Sequence, residues 1–228
     1  MVPAGPGGGG GRVNDLSSPD KLRAWIEAHL DPLHDEAVEG GQRRSDFDLS
    51  PGGWSGMKPE ELTPAAVLIG LVERDEGPTV LLTRRSDTLR RHTGQVALPG
   101  GRQDPGERPW QTALREAHEE VGLEPHFVSL VGLSTPYQTG TGFLITPVVG
   151  LVRPGFSLQP NPAEVADIFE TPFSWLMDLA NYEEHERELP TGEKRRFYAT
   201  THDDRYIWGA TAGILRCLHE RLFGAALA

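Results

Sequence analysis

Three glutamates crowd the end of a predicted helix in the middle of the chain. Glu116 and Glu120 stand four residues apart and therefore point within roughly 40° of each other on a helix, with Glu119 to one side. Like charges at this spacing repel, and carboxylates near a helix C-terminus oppose the helix dipole. A divalent cation bound by carboxylates and substrate phosphate oxygens would remove that repulsion. The cluster thus indicates a metal site for phosphate chemistry, and a solvated acidic surface is the alternative interpretation.

The helix that carries these glutamates has clear start and stop signals. Pro109 suits a first helical position and Gly122 suits a left-handed C-terminal cap, so the sequence predicts a helix over Pro109–Val121. Five side chains share one stripe of this helix and predict the face that packs on the core: Trp110, Ala113, Leu114, Ala117 and Val121.

The segment of residues 101–123 resembles the Nudix box in residue types and spacing. Ala117 departs from the pattern, which prefers a bulky aliphatic residue there, but it still lies on the apolar stripe. The resemblance implies a hydrolase that uses water and Mg²⁺ or Mn²⁺ to cleave a nucleoside diphosphate linked to another group, on an α/β/α fold. The matching residues are Gly101, Glu107, Arg115, Glu116, Glu119, Glu120, Gly122 and Leu123.

The resemblance also implies a set of metal ligands. Glu116 and Glu120 are expected to be the main ligands, and Glu119 is expected either to add a ligand or to take the proton from the attacking water. The tight turn that ends at Gly101 permits a close backbone approach, so its carbonyl is expected to complete the coordination.

Two further residues of the box are expected to act through their neighbours. Glu107 should pair with Arg115 and so help to orient Glu116, in the way that outer residues fix the geometry of metal ligands. The residues predicted to take part in catalysis are therefore Glu107, Arg115, Glu116 and Glu119.

The stretch before the box, residues 81–101, is similar to a second signature, found in the coenzyme A pyrophosphatase branch of the Nudix family. Leu98 departs from that signature, which usually has Phe there, and we expect the change to alter a core contact rather than the activity. Residues 161–172, the region around Phe197 and Tyr198, and residues 206–215 resemble the branch more loosely. The matching residues of the signature are Leu81, Leu82, Thr83, Arg85, Ser86, Arg90, Gly94, Pro99, Gly100 and Gly101.

A local basic patch supports an anionic ligand. Residues 84–92 carry four arginines against one acid, Asp87, in a chain with a formal net charge of -11. Arginine forks match phosphate geometry, and coenzyme A has three phosphates, so a small anionic substrate is favoured over nucleic acid. The alternative is a solvated basic loop. The predicted substrate-binding residues are Arg84, Arg85, Arg90 and Gly100.

Composition and patterning place these motifs in an ordinary globular chain. The 228 residues suffice for one domain with a full core, and the single cysteine, Cys217, sits in an apolar helical pattern typical of a packed thiol. The sequence predicts no membrane insertion and a cytoplasmic location, and it leaves the oligomeric state open, with a homodimer as one candidate. The predicted divisions are a disordered Gly- and Pro-rich tail over 1–16, an N-terminal helix and polar linker over 17–62, and the Nudix domain over 63–228.

The remaining pattern predicts the α/β class, with helices on both faces of a mixed sheet. Strands are expected over residues 65–74, 79–85, 127–133 and 143–152, the first two as a hairpin, and helices near residues 18–30, 172–179 and 210–223. Glu164 is expected either to hold a second metal or activate water, or to be an acid at a helix start.

The predicted activity is metal-dependent hydrolysis of the pyrophosphate of coenzyme A or its thioesters. The products would be 4'-phosphopantetheine, or its acylated form, and adenosine 3',5'-bisphosphate. Two alternatives stay open: a Nudix pyrophosphatase for ADP-ribose, a dinucleotide or a nucleoside triphosphate, and a Nudix-fold ligand sensor without turnover. The sensor alternative predicts loss of box glutamates, and all four are present here.

Overall fold

The computed structural model describes residues 18–33, 43–50, 58–86, 94–188, 192 and 194–224. The predicted disordered tail lies outside these residues, and so does Arg90, with most of the basic patch. The helices are α1 (Pro19–His29), α2 (Pro109–Val121), α3 (Phe173–Leu176) and α4 (Ala210–Phe223). The strands are β1 (Arg44–Ser45), β2 (Thr63–Val72), β3 (Thr79–Arg85), β4 (Val96–Ala97), β5 (Gly100–Arg102), β6 (Val128–Leu133), β7 (Tyr137–Gln138), β8 (Phe143–Val152), β9 (Val165–Pro172), β10 (Tyr182–Glu188), β11 (Lys194–His202) and β12 (Arg205–Trp208).

The described strands form one large mixed sheet and one small sheet. The large sheet has nine strands, with the path β1-β7-β8-β2-β3-β4, and β5, β6 and β9 pair with β2, β8 and β3 respectively. Strand β2 runs parallel to β8 and antiparallel to β3, so the predicted hairpin of β2 and β3 is present. The small sheet joins β10, β11 and β12 in antiparallel order.

Helices cover both faces of the large sheet. Because side chains alternate along a strand, β2 sends one set of residues to each face. One face packs against α2, through Ala66 and Leu68 of the strand and Ala113 and Ala117 of the helix. The other face packs against α1 and α4, through Ile69, Leu71, Ile26 and Leu215. The predicted α/β/α sandwich with a mixed sheet is therefore confirmed.

The predicted polar linker is wrong as a description of residues 43–50. Strand β1 pairs in parallel with β7 and so extends the large sheet. The sequence suggests a linker because a strand of two residues is too short to show alternating apolar and polar residues. The edge of the large sheet provides the backbone hydrogen-bond partners of these two residues. Helix α1 also packs on the core through Leu22 and Ile26. The division of the chain at residues 62 and 63 stays a prediction.

Two other elements differ from the predicted pattern. The helix expected over residues 172–179 is short, since α3 ends at Leu176 and a separate 3₁₀ turn follows over Leu179–Asn181. The small sheet was not predicted at all. Strand β10 has the sequence YEEHERE, a charged run with little alternation of apolar and polar residues. Backbone pairing with β11, rather than burial of an apolar face, therefore makes this segment a strand.

Candidate active site

Helix α2 places the box glutamates beside the large sheet. It starts at Pro109 and ends at Gly122, whose φ of 70° puts it in the left-handed region that glycine adopts most easily. Buried side chains on one face, including Ala113, Ala117 and Val121, fix the rotation of the helix. That rotation turns Glu120 inward and leaves Glu119 half exposed.

The guanidinium of Arg115 connects three glutamates. Its Nε and Nη2 donate to the two carboxylate oxygens of Glu107, at 2.8 Å and 3.0 Å. Its Nη1 donates to Oε1 of Glu116 at 2.8 Å and to Oε2 of Glu119 at 3.1 Å. The fork geometry holds all three carboxylates at defined positions, and the pairing expected of Glu107 and Arg115 is present.

Glu107 is held from several sides. Thr112 Oγ1 and the Asp104 backbone N–H both donate to its Oε2, at 2.7 Å and 3.1 Å. The hydrogen bonds from Arg115, followed by those from Thr112 and Asp104, lower the pKa of Glu107 to about 2 against the cost of desolvation. The carboxylate is therefore ionised throughout the physiological range and anchors Arg115 as a fixed cation.

Glu120 is a buried carboxylate, with only 5% of its side chain exposed. Burial raises the pKa of Glu120 to about 7, while the Gly100 N–H and the charge of Arg85 act in the opposite direction. The Gly100 backbone N–H donates to Oε2 at 3.1 Å, and Arg85 Nη1 lies 4.0 Å from Oε1. Burial of this carboxylate, where it is poorly solvated, therefore destabilises the folded chain.

Glu116 lies against the backbone of strand β5. A Cβ atom built on Gly101 would meet the Glu116 carboxyl carbon at 2.6 Å, so the glycine leaves the space that the carboxylate occupies. Burial raises the pKa of Glu116, the charge of Arg115 opposes this, and the charges of Glu119 and Glu164 add to it. The fit of the carboxylate to Gly101 explains why this position needs a glycine.

Gly101→Ala should therefore displace the Glu116 carboxylate. We expect turnover to fall by about 10- to 100-fold, the range typical of disturbed ligand orientation, while circular dichroism shows a folded protein. Gly106→Ala is the control, since a Cβ added there meets no atom within 4 Å. The backbone of Gly106 has a φ of +86°, which is unfavourable for alanine. It should lower the free energy of unfolding by about 1 kcal/mol and leave turnover intact. Equal turnover of the two variants would contradict the role of this contact.

Glu164 approaches the same carboxylates from the turn before β9. Its charge raises the pKa of both Glu116 and Glu120, which places it within electrostatic reach of the pair. The turn is fixed by backbone bonds from Ser86 N–H to the Glu164 carbonyl at 2.8 Å and from Asn161 N–H to the Glu120 carbonyl at 2.8 Å. Glu164 precedes a strand, so its interpretation as an acid at a helix start is wrong.

Comparison with known proteins settles the family. A family model described as the NUDIX domain matches residues 62–191. The chain belongs to the Nudix hydrolase family. It is 45% identical over 160 residues to an uncharacterized Nudix hydrolase NudL from Photorhabdus laumondii subsp. laumondii, covering 69% of this chain and 84% of that protein. It is 42% identical over 160 residues to a NudL protein from Yersinia pestis (strain Pestoides F), covering 69% of this chain and 79% of that protein.

Among solved structures, the chain resembles a Nudix hydrolase, RenU, from M. smegmatis. The two share 26% identity with a TM-score of 0.43, over 50% of this chain and 72% of that one. Family membership confirms the coarser part of the predicted activity, hydrolysis of a pyrophosphate-containing substrate. Nudix hydrolases generally use divalent metals such as Mg²⁺ or Mn²⁺.

The Nudix glutamates of this chain suit such a metal in their chemistry. Glu116 and Glu120 supply hard carboxylate oxygens. Burial and, to a smaller extent, the charge of Glu116 raise the pKa of Glu120, and a bound cation would favour the ionised carboxylate instead. In the described residues, no three His, Cys, Asp or Glu side chains already converge as a complete metal site. The carboxylates therefore fit a cation whose remaining ligands come from backbone, substrate and water, which is how Mg²⁺ is commonly held.

A cavity of about 560 Å³ opens beside these glutamates. Arg85, Gly100 and Gly101 line it on the side of Glu116 and Glu120, so three of the predicted residues meet at one place. Arg84 is not among its lining residues in the described part of the chain, and Arg90 lies outside that part. The binding roles of Arg84 and Arg90 stay predictions, as do the roles of the box residues.

The second signature divides between core and cavity. Leu81 and Leu82 are fully buried in strand β3, which explains their apolar character without any contact to substrate. Leu98 is also buried, as the expected core contact requires, but it lines the cavity as well. The departure at Leu98 thus lies at the cavity as well as in the core, and the expectation that it leaves the activity unchanged stays a prediction.

Sequence reasoning missed five charged residues that line this cavity: Asp46, Arg102, Arg187, Arg195 and Arg196. Asp46 lies in the segment interpreted as a linker, Arg102 ends β5, and the other three arginines lie on β10 and β11. The motif KRRF at residues 194–197 was the available signal, because it sets basic residues beside an aromatic one. The long-range pairing that brings it to the cavity was not readable from the sequence.

Proposed function

We propose that this Nudix hydrolase cleaves the pyrophosphate of coenzyme A or of its thioesters. The observation that carries the proposal is the charge of the cavity beside the glutamates, which is lined by five arginines and one acid, Asp46. The arginines are Arg85, Arg102, Arg187, Arg195 and Arg196. In a chain with a net charge of -11, this concentration of basic residues favours a ligand with several phosphates.

The resemblance of residues 81–101 to the coenzyme A pyrophosphatase signature supports the same substrate. Arg85 of that signature lies at the cavity, 4.0 Å from Glu120, where it can neutralise the phosphate next to the metal ligands. The apolar lining, which includes Val67, Phe143 and Ile145, provides room for an uncharged chain. Coenzyme A combines three phosphates with such a chain.

The residues of the site have distinct tasks in this proposal. Glu116 and Glu120 hold a divalent cation, which supplies charge neutralisation at the diphosphate and a lowered pKa for the attacking water when it is bound. Glu119, more than half exposed, either adds a ligand or accepts the proton of that water. Arg115, fixed by Glu107, positions Glu116. Water adds across the P–O–P bond to give 4'-phosphopantetheine, or its acylated form, and adenosine 3',5'-bisphosphate.

A substrate panel tests the proposal. Pure protein is incubated with coenzyme A, an acyl-coenzyme A, ADP-ribose or NADH, each with Mg²⁺, Mn²⁺ or EDTA, and the products are identified by mass spectrometry. We expect metal-dependent formation of the two products from coenzyme A or its thioester and little turnover of the others. Turnover of ADP-ribose or NADH alone would overturn the proposal of coenzyme A as substrate but not the assignment to the family. No turnover of any compound would favour the alternative of a ligand sensor.

Three further features of the protein belong to this proposal. We propose a cytoplasmic location, small-molecule substrates rather than nucleic acid, and assembly as a homodimer. No helix in the described parts of the chain has the length and apolar character to span a membrane. Size-exclusion chromatography with light scattering measures the assembly state directly.

A further inference from the structure

The small sheet lines part of the cavity beside the glutamates, and two of its three strands lie beyond the residues that the family model matches. The family match ends at residue 191, whereas β11 and β12 span Lys194–His202 and Arg205–Trp208. Arg195, Phe197 and Trp208 of these strands nevertheless line the same cavity as Gly100 and Gly101. Strands β11 and β12 thus contribute to the site from beyond the matched residues.

Two arginines oppose each other directly on this surface. In the register of β10 and β11, Arg187 pairs with Arg195, so their side chains stand on the same face. Like charges at directly opposite positions destabilise a sheet. Lys194, the neighbour of Arg195 in the chain, instead lies 2.7 Å from a carboxylate oxygen of Glu186. An anionic ligand between the two guanidinium groups would relieve the repulsion within the arginine pair.

Arg195 is held in place for such a ligand. Its guanidinium stacks on the Phe47 ring at 4.8 Å, and the charge of the half-buried Asp46 carboxylate acts on it. Asp46 is itself fixed by the Gly140 N–H at 2.8 Å and by the Tyr137 hydroxyl at 3.0 Å. The Nε of Arg195 is buried and has no hydrogen-bond partner among the described residues. A preorganised guanidinium of this kind suits a phosphate.

Aromatic rings continue the same face next to the arginines. Phe197 and Trp208 lie with ring centroids 5.3 Å apart, and both line the cavity. Aromatic side chains beside arginines match a nucleobase whose ribose carries a phosphate, since the base stacks and the phosphate pairs. The pantetheine chain has no anionic group, so it offers no partner for the charges of Arg187 and Arg195.

We infer that the small sheet is the specificity element of this enzyme. It holds the nucleoside end of the substrate on Phe197 and Trp208 and binds a phosphate on the ribose through Arg187 and Arg195. The inference rests on the proposed function for the identity of the substrate. It adds the recognition of a third phosphate, remote from the bond that is cleaved.

Binding of two nucleotides tests the inference without any need for turnover. Isothermal titration calorimetry compares adenosine 3',5'-bisphosphate with 5'-AMP, both in Mg²⁺. We expect the bisphosphate to bind about 10- to 100-fold more tightly, the gain typical of charge-assisted hydrogen bonds. Arg187→Gln and Arg195→Gln should each remove most of this preference. Equal binding of the two nucleotides by the wild-type protein would overturn the inference.

Matched variants separate recognition from a change of fold. Lys194→Gln removes one positive charge from the same strand, at an exposed position outside the cavity lining, and should keep the preference. Arg187 is exposed, so its replacement leaves the core intact even if loss of Arg195 beside Asp46 destabilises the sheet. Arg187→Gln with an unchanged preference, or Lys194→Gln with an equal loss, would contradict the assignment.

Turnover distinguishes this inference from the proposed function. Wild-type kcat/KM should be about 10- to 100-fold higher for coenzyme A than for 3'-dephospho-coenzyme A, and Arg187→Gln should lower only the former. Failure to hydrolyse either compound would refute the proposed substrate, while the nucleotide titration would still decide the phosphate site. Hydrolysis of both at equal rates would refute the phosphate site and leave the proposed function standing.

Discussion

Glu120→Gln should abolish metal-dependent turnover and at the same time stabilise the metal-free protein. The carboxylate is 5% exposed, and burial raises its pKa to about 7 from an ordinary value of 4.5. A neutral amide of the same shape avoids the cost of burying the charge but is a poor ligand for a hard cation. We expect kcat to fall by at least about 100-fold, as removal of a main ligand requires.

The stabilising effect depends on pH with a definite sign. A carboxyl group whose pKa is raised on folding contributes stability that is fully present below pH 4.5 and is lost as the pH rises through about 7. In EDTA at pH 8, the variant should therefore be more stable than the wild type by up to ~3 kcal/mol, and the two should converge near pH 4.5. Thermal unfolding followed by circular dichroism across this range measures the difference.

The control is Glu124→Gln, the same chemical change at a side chain that is 54% exposed just beyond the same helix. It should alter neither turnover nor the pH profile of stability. Added Mg²⁺ should raise the melting temperature of the wild type and of this control, but not that of Glu120→Gln. A Glu120→Gln enzyme that is folded and fully active would remove Glu120 from the metal site.

Arg115→Lys should lower turnover strongly although it conserves the charge. The guanidinium bonds Glu107 through two nitrogens and reaches Glu116 and Glu119 through a third, which a single ammonium group cannot reproduce. We expect kcat to fall by about 10- to 100-fold, the cost typical of residues that orient metal ligands. The Mg²⁺ concentration for half-maximal activity should rise, because Glu116 loses its fixed orientation.

The Mg²⁺ dependence separates positioning from simple loss of stability. Arg108→Lys makes the same change at an exposed residue flanking the same helix and should leave kcat and the Mg²⁺ midpoint unchanged. Glu107→Gln weakens the anchor of Arg115 and should shift the Mg²⁺ midpoint in the same direction as Arg115→Lys. If Arg115→Lys reduced only the free energy of unfolding in urea, with kcat and the Mg²⁺ midpoint intact, Arg115 would be a structural residue alone.

Local signals in the sequence were enough to predict the catalytic helix. Pro109 and Gly122 mark its ends, and both act within one turn of the residues they terminate. The spacing of Glu116 and Glu120 then places both carboxylates near one side, because helix geometry is fixed by a short-range repeat. The hairpin of β2 and β3 follows from the same kind of local pattern.

Burial and charge balance at the site were not readable in this way. Burial raises the pKa of Glu120, against the opposing effects of the Gly100 N–H and the charge of Arg85, whereas the neighbouring Glu119 remains more than half exposed. In the sequence the two are adjacent acids of identical type. Their difference arises from the rotation of α2 on the sheet, which depends on packing against residues far away in the chain.

By itself, the sequence determined the family, helix α2 and the identity of the glutamates that it carries, since residue types at short, regular spacings specify these features. Only the tertiary structure decided what faces the glutamates across the cavity. Arg187 and Arg195 meet through antiparallel register, and Asp46 reaches Tyr137 across 91 positions of sequence. Such contacts depend on how strands and helices pack, and many different sequences are compatible with the same packing. No local sequence pattern therefore predicts them.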